Sequence, residues 1–326
     1  MVNRGSVAVC IIVLSAIFTL GFLTVASADV VNIDNFAVTR DGTPLFNDSF
    51  GAGLTFAGGN PPGAILPSGQ NFSNGTPANY IVIGTLTETG NKGILNTALG
   101  APINFGPPFG TANLNNIDLQ TGPPTLPFSL TPNHAFAATA LLDLAVPQTL
   151  GGFYQLEFSN RVAENMGNGD VISVTVHNCS PGGPDQAEEC GSATGPVVAL
   201  FDANFGTNPV TRTIIGQNPL ATSNQQILLE LSHPTPGIPD VFGSYAYVNG
   251  GVPGPMTPLG DYTGLFEGPG APGYTQAGFI ELGQGITVPE PSSLTLLASS
   301  IPTVLGLVWL RRRKVDVSGS KIETRT

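Results

Sequence analysis

The oxygen-bearing side chains between positions 164 and 170 form the segment whose composition best suits metal chemistry. They are Glu164, Asn165, Asn168 and Asp170, in the run ENMGNGD. Calcium prefers carboxylate and amide oxygens, and glycine permits the tight turn that gathers them. However, the run lacks the Asp-x-Asp-x-Asp-Gly spacing of a calcium loop, and Asn-Gly is an ordinary turn former. A turn is therefore the first interpretation, and a calcium site is the alternative.

Groups suited to catalysis are few. Glu157 and Glu164 have the chemistry for glycoside cleavage, which two carboxylates perform across a sugar, but they are only two of many acids. His134, His177 and His233 fall in predicted turns and strand ends, which favours surface or edge positions over a role as base or ligand. The central chain also lacks a nucleophile elbow, a His-Glu-x-x-His motif, a phosphate loop and a dinucleotide fingerprint. The sequence predicts no catalytic residue and no enzyme.

The cysteines indicate an oxidising compartment. Cys10 lies in an apolar N-terminal segment, which leaves Cys179 and Cys190. An even pair separated by a short polar stretch in an exported chain predicts one disulfide. No histidine set lies near the pair in the sequence, so a zinc site is disfavoured.

The first 28 residues have the pattern of a secretory signal. Arg4 is followed by an almost wholly apolar run over residues 7–25, and Ala26 and Ala28 form a small-x-small cleavage site before Asp29. A transmembrane anchor is the alternative, because the apolar run is long for a signal. We expect cleavage after Ala28.

A second apolar run, Ser292 to Leu310, predicts a membrane span near the other end. Its 19 residues carry no charge and would form a helix of about 28 Å, enough to cross a bilayer core. Arg311, Arg312, Arg313 and Lys314 follow at once, and such a cluster holds that end on the cytoplasmic side. Residues 315–326 are therefore predicted to be a cytoplasmic polar tail, and residues 29–287 to lie outside the inner membrane.

Residues 288–314 resemble the PEP-CTERM sorting signal, in which Pro-Glu-Pro, an apolar helix and an arginine cluster follow in that order. The matching residues are Pro289, Glu290, Pro291, the span, and Arg311, Arg312, Arg313 and Lys314. The resemblance implies recognition by exosortase, a membrane cysteine protease. It also implies tethering to the inner membrane before processing, and then a place at the cell surface or in the extracellular matrix among exopolysaccharide or biofilm. Typical tails end soon after the cations, whereas twelve residues continue here, so processing stays open.

The segment between the two ends is strongly acidic. Residues 29–288 hold four Lys and Arg against 19 Asp and Glu, a formal net charge of −15. Such a field repels phosphate backbones, so nucleic-acid binding is excluded as a function. It is compatible with divalent cations and with neutral or cationic polymers, although solubility alone also explains it.

This central segment predicts an all-β fold, an antiparallel β-sandwich of the jelly-roll or lectin-like kind. Runs rich in Val, Ile, Phe and Thr alternate with Gly and Pro clusters, without a helical period. Gly51 to Pro77 and Pro102 to Pro132 are predicted as long loops. The strands are expected at Val30 to Thr39, Pro44 to Phe50, Asn79 to Thr89, Ala135 to Leu144, Gly152 to Asn160, Asp170 to Asn178, Val197 to Ala203, Thr211 to Ile215, Gln226 to Ser232, Val241 to Asn249 and Gln276 to Leu282.

Two short motifs, Ile33-Asp34-Asn35-Phe36 and Leu45-Phe46-Asn47-Asp48-Ser49-Phe50, resemble those of concanavalin-like or lectin-like sandwich domains. The first hypothesis is therefore an exported, non-enzymatic surface or matrix protein, structural or associated with extracellular polysaccharide. A secreted glycoside hydrolase and a calcium-dependent carbohydrate-binding or adhesion module are the alternatives. Only the last of these needs a cofactor, which is calcium.

Overall fold

The computed structural model describes residues 29–104, 111–120, 130–143, 152–160, 170–179, 190–204, 211–220, 226–263, 273–274 and 276–284. The chain divides into two units, Met1–Gly285 and Ile286–Thr326, and every described residue belongs to the first. The predicted signal, the sorting tail and the calcium candidates Glu164, Asn165 and Asn168 lie outside the described residues. Within the described part, no helix is long and apolar enough to span a bilayer, and the predicted span 292–310 is not in that part.

The fold is all-β and antiparallel. A 3-10 turn, Thr97–Leu99, follows the fifth strand. The strands are β1 Val30–Arg40, β2 Thr43–Asp48, β3 Thr55–Asn71, β4 Pro77–Thr89, β5 Lys92–Asn96, β6 Ala101–Asn104, β7 Thr111–Gln120, β8 Phe136–Asp143, β9 Phe153–Ser159, β10 Asp170–Cys179, β11 Gly195–Asn204, β12 Thr211–Pro219, β13 Gln226–His233, β14 Val241–Asn249, β15 Val252–Pro253, β16 Thr257–Tyr262 and β17 Gln276–Gln284.

All seventeen strands belong to one continuous sheet. One run has the order β12, β11, β10, β9, β17, β7 and β4, and a second run has the order β16, β14, β13, β8 and β1. Strand β5 joins the runs, because it pairs with β4 on one side and with the first four residues of β1 on the other. Four further strands pair along the sides of these runs: β2 with β1, β3 with β4, β6 with β7 and β15 with β14.

The sheet folds over itself, so that β9 and β10 pack against β8, β13 and β14. The backbone partners of β9 are β10 and β17, and those of β10 are β9 and β11. The space between the layers holds one large apolar core that includes Phe36, Phe46, Tyr80, Phe158 and Phe279, all fully buried. The rings of Phe36 and Phe46 meet edge to face with centroids 6.1 Å apart. Removing a side chain of this size from water stabilises the fold by about 1.5–3 kcal/mol. This core carries most of the folding energy.

The predicted all-β class is confirmed, and the eleven predicted strands match β1, β2, β4, β8 to β14 and β17. Both predicted long loops are wrong. Gly51 to Pro77 contains β3, and Pro102 to Pro132 contains β7 and most of β6. Strand β3 tolerates its prolines and glycines because its pairing with β4 is interrupted by three register shifts. Bulges of this kind absorb residues that cannot complete a regular ladder.

Candidate functional site

The strands β7, β17, β9 and β10 are buried on both of their faces. In β9, Tyr154, Leu156 and Phe158 enter the apolar core, and the alternate residues Gln155, Glu157 and Ser159 point to the opposite side. Those three polar side chains are at most 7 % exposed. We call the surface opposite the core, formed by β7, β17, β9, β10 and β11, the polar face. Buried polar groups normally need hydrogen-bond partners, so the contacts on this face define its chemistry.

Strand register arranges the polar face in rows that run across the five strands. One row consists of Asp118, Gly278, Glu157, Ser173 and Phe201. The neighbouring row consists of Asn116, Ile280, Gln155, Thr175 and Ala199. The two acids therefore share one row, and the two amides share the row beside it.

Each acid accepts a hydrogen bond from the amide two residues earlier on its own strand. Asn116 Nδ2 donates to Asp118 Oδ2 at 2.7 Å, and Gln155 Nε2 donates to Glu157 Oε2 at 2.5 Å. Each of these bonds uses one carboxylate oxygen, so the other oxygen of each acid is available for a different contact. Because β17 lies between β7 and β9, the two amide–carboxylate pairs flank one strand.

Hydroxyl groups extend this network toward β10. Thr175 Oγ1 donates to Gln155 Oε1 at 3.4 Å, and the hydroxyls of Ser173 and Thr175 lie 3.0 Å apart. The orientation of the Gln155 amide is thereby fixed, since its NH₂ group faces Glu157 and its carbonyl faces Thr175. A continuous line of hydrogen bonds connects the acid Glu157 with the hydroxyls of β10.

Gly278 separates the two acids. A side chain at this position would overlap the Asp118 carboxylate, which lies over the glycine from the β7 side. Neighbouring strands are about 4.8 Å apart, so the backbones of Asp118 and Glu157 are separated by roughly 10 Å. Because Asp118 extends over Gly278, its carboxylate approaches Glu157 more closely than the backbone separation suggests.

A groove opens beside the amide row. Its lining residues are Phe153, Gln155, Thr175, His177, Ala199 and Phe201, and its enclosed volume is only about 20 Å³, so the groove is shallow and open at its mouth. The rings of Phe153 and His177 have centroids 5.6 Å apart, and Phe153 and Phe201 are half-buried. Aromatic walls with a few fixed polar groups are typical of small-ligand sites. The groove is the accessible end of the polar face.

A second polar cluster lies where β1, β5, β8 and β13 meet, and we call it the Lys92 cluster. Lys92 Nζ donates to Asp34 Oδ1 at 2.7 Å and to Asp143 Oδ2 at 2.5 Å. Gln226 Nε2 donates to Asp34 Oδ2 at 2.7 Å. Burial acts to raise the pKa of Asp143, but the hydrogen bond and charge of Lys92 outweigh it and hold that pKa below the usual value.

Of the four predicted calcium ligands, only Asp170 lies in the described part of the chain. Asp170 begins β10, and burial raises its pKa. Asp202 of β11 lies close to it, since burial and then the charge of Asp170 raise the Asp202 pKa to about 6, against a hydrogen bond from Tyr262. The described residues contain no group of three His, Cys, Asp or Glu side chains that would hold a metal ion. The calcium site therefore stays a prediction.

Two of the three histidine predictions are wrong. His177 is 2 % exposed and lines the groove, and His233 is fully buried at the end of β13. His233 Nδ1 lies 2.9 Å from the Asp240 carbonyl oxygen, and its ring packs against Phe136. His134 is in a turn and partly exposed, as predicted, with Nδ1 2.9 Å from Asp41 Oδ2. His177 is buried because the polar face of β10 is itself covered, whereas His233 is buried because it lies on the core side of β13 with Leu229 and Leu231.

The predicted disulfide is present between Cys179 and Cys190. Their Cα atoms are 5.8 Å apart, and both side chains are fully buried beside Val197. The bond links the end of β10 to the residues that precede β11. It therefore fixes the connection between the two strands that carry His177 and Phe201.

Asp118 is the residue that the sequence patterns missed. It falls in Pro102 to Pro132, which was predicted as a loop because it is rich in Pro, Gly and Asn. A signal was nevertheless present, because Leu114, Asn116 and Asp118 alternate with Asn115, Ile117 and Leu119. The Asn-x-Asp spacing there parallels the Gln-x-Glu spacing of Gln155 and Glu157.

Comparison with known proteins assigns no family. The chain matches no protein-family model, no curated protein and no solved structure. Function must therefore be inferred from the chemistry of the polar face and the groove, together with the sequence signals at the two ends.

Proposed function

We propose that the chain is an exported, non-enzymatic surface or matrix protein that binds extracellular polysaccharide in the groove of the polar face. The observation that carries the proposal is the combination of aromatic walls with fixed amide and hydroxyl groups. Phe153 and Phe201 offer ring faces on which the apolar face of a sugar ring can stack, and Gln155 and Thr175 offer partners for its hydroxyls. The groove lining contains no lysine or arginine, which suits a neutral polymer better than a phosphate-bearing one.

The finer architecture belongs to the same proposal. A jelly-roll or lectin-like sandwich is consistent with one antiparallel sheet folded over an apolar core. In such folds a broad sheet face commonly carries the ligand. The resemblance of residues 288–314 to a sorting signal supports the location, because an exosortase-type protease acting on a tethered chain would leave the domain at the cell surface or in the matrix.

A second candidate function, glycoside hydrolysis, is favoured by the row Asp118, Gly278 and Glu157. Retaining and inverting glycosidases use two carboxyl groups about 5 to 9.5 Å apart. Two acids in one row of a sheet face, on either side of a glycine, match that requirement in the type and arrangement of the groups. Both acids are at most 3 % exposed and each is held by a neighbouring amide, so a substrate would have to reach them through the groove.

The test is binding of the exported protein to a panel of polysaccharides, with calcium and with chelator. Phe201→Ala is expected to weaken binding about tenfold or more, since one aromatic contact contributes about 1–3 kcal/mol when buried. Phe242→Ala is the matched control, because Phe242 is an exposed aromatic residue on β14, outside the groove. Equal loss in both variants would place the binding elsewhere.

Product analysis separates the two candidate functions. Binding to one glycan class without release of shorter sugars supports the non-enzymatic role. Release that stops in Asp118→Asn and in Glu157→Gln would establish the hydrolase instead. Loss of binding under chelator would support the calcium-dependent alternative, and no binding to any glycan would contradict carbohydrate recognition.

A further inference from the structure

A buried acidic cluster surrounds the residue at which the mature chain is predicted to start. Asp29 is 5 % exposed, and its backbone nitrogen donates to Thr97 Oγ1 at 2.9 Å. Its carbonyl oxygen accepts from the Thr97 backbone nitrogen at 3.0 Å. The 3-10 turn Thr97–Leu99 therefore holds the first residue before β1 in a fixed position.

Glu281 of β17 is the second acid of this cluster and is 1 % exposed. Its carboxyl group accepts from Asn115 Nδ2 at 2.9 Å, through Oε2, and from the backbone nitrogen of Val31. Burial, and then the charge of Asp29, raise the Glu281 pKa to about 8. We call Asp29, Glu281, Asn115 and Tyr154 the Glu281 cluster.

Two polar atoms of the cluster have no hydrogen-bond partner. They are Glu281 Oε1 and the hydroxyl oxygen of Tyr154, and both are buried. Tyr154 is 2 % exposed, and burial, followed by the charges of Glu281 and Asp29, raises its pKa. A buried carboxylate oxygen without a hydrogen-bond partner is destabilising once it is ionised. The pKa of about 8 keeps the Glu281 carboxyl largely protonated at neutral pH, and a positively charged hydrogen-bond donor at this place would stabilise its ionised form.

Signal cleavage would supply that donor. Hydrolysis of the bond between Ala28 and Asp29 consumes one water and leaves a carboxylate on Ala28 and an amine on Asp29. The amine is protonated at neutral pH, since its ordinary pKa is about 7.7–8.0. Backbone nitrogens two residues apart on a strand are about 6.6 Å apart and point the same way, so the amine of Asp29 lies on the same edge of the strand as the Val31 nitrogen that donates to Glu281.

We propose that the Glu281 cluster is a binding site for the α-ammonium group that signal cleavage creates at Asp29. This inference rests on the predicted export and on no property of the groove. One proton of the ammonium group keeps the bond to Thr97, and the others are directed to the Glu281 and Asp29 carboxylates. Removal of the signal segment then completes the hydrogen bonding of the fold. The precursor, which has an amide nitrogen with one proton at this place, lacks the charge.

The first experiment compares two full-length chains in detergent, one starting at Asp29 and one starting at Ser27. Both carry a free amine, so their net charge is equal and only the position of the amine differs. The Asp29 chain is expected to melt about 3–6 °C higher at pH 7, as one to two kcal/mol would produce in a domain of this size. Equal melting temperatures would overturn the proposal.

Glu281→Gln in both chains tests whether Glu281 is the cause of the difference in melting temperature. The melting difference between the two starts should disappear with glutamine, because its amide cannot pair with the ammonium charge. A difference that persists in Glu281→Gln would overturn the role of Glu281. Raising the pH above about 9.5 should remove the difference in the wild-type chains as well, because the amine then loses its proton.

Amine reactivity gives a readout that does not depend on the variant folding. The Asp29 amine should react with an acylating reagent at least about tenfold more slowly than the Ser27 amine at pH 7, since a tenfold change corresponds to one pKa unit. Equal rates would contradict the proposal. N-terminal sequencing of the exported protein completes the test, because a start other than Asp29 would also overturn it. None of these results depends on polysaccharide binding.

Discussion

The Lys92 cluster and the Glu281 cluster each hold two carboxyl groups between strands of the same sheet, but the groups that stabilise the carboxyls differ. In the Lys92 cluster a lysine bridges Asp34 and Asp143, and all three side chains keep some contact with solvent. In the Glu281 cluster both acids are almost fully buried, and the Glu281 carboxyl accepts from the Asn115 amide and the Val31 backbone nitrogen. The more deeply buried carboxyl therefore has neutral donors in these bonds.

This difference reverses the pH dependence of stability. The Asp143 pKa is lowered on folding, so its contribution is present above the unfolded pKa of about 3.9 and is lost as pH falls. The Glu281 pKa is raised on folding to about 8. Its contribution is complete below the unfolded pKa of about 4.3 and is lost as pH rises through 8. One region therefore weakens in acid, and the other weakens toward alkaline pH unless a cation reaches it.

The largest effect is expected for a chain that retains residues before Asp29. Between pH 5 and pH 9 the Glu281 carboxyl should cost this chain roughly 3–5 kcal/mol of unfolding free energy, because ionisation is penalised in the buried site. Urea denaturation across this pH range measures the loss. The same chain with Glu281→Gln is the control, and subtracting it removes the contribution of Asp202, whose pKa burial also raises. Parallel pH profiles for the two chains would show that Glu281 is not the group responsible.

Removing the cation of the Lys92 cluster should have a smaller effect. Lys92→Met is expected to lower the unfolding free energy by about 2 kcal/mol at pH 7, between the values for exposed and buried ion pairs, since Lys92 is about one-third exposed. The loss should shrink as pH falls through the range in which Asp143 takes up its proton. Lys92→Arg is the matched control and should keep most of the stability. A methionine variant as stable as the wild type would mean that the two bridges contribute nothing.

The smallest change is expected at Tyr154. Tyr154→Phe removes a buried hydroxyl without a hydrogen-bond partner, so the unfolding free energy should change by less than about 0.5 kcal/mol, or rise. Thermal unfolding of a chain that starts before Asp29 is the appropriate measurement. In the chain starting at Asp29 the change should be equally small, because the ammonium protons are directed to Thr97, Glu281 and Asp29. Destabilisation by more than 1 kcal/mol in both chains would show that the hydroxyl has another partner.

Much of the fold was predictable from the sequence, because alternating β-branched and aromatic residues mark strands such as β4 and β10 directly. Strand β7 was missed because its residues on the polar face include Asn116 and Asp118, and Asn and Asp locally favour turns. The disulfide was also predictable, from two cysteines in a chain with the pattern of a secretory signal. The pairing of Asp118 with Glu157 across Gly278 was not, because it depends on β17 entering between strands that are distant in sequence.

Strand β17 has a further consequence for how the chain reaches its native state. It is the last described strand, yet it lies in the interior of the sheet, between β7 and β9. Until residues 276–284 have joined the sheet, β7 and β9 each present an open edge that is able to pair with other chains. Folding dominated by such distant contacts is slow. On the proposed export route, folding would follow translocation, since the domain cannot close until nearly all of it has crossed the membrane.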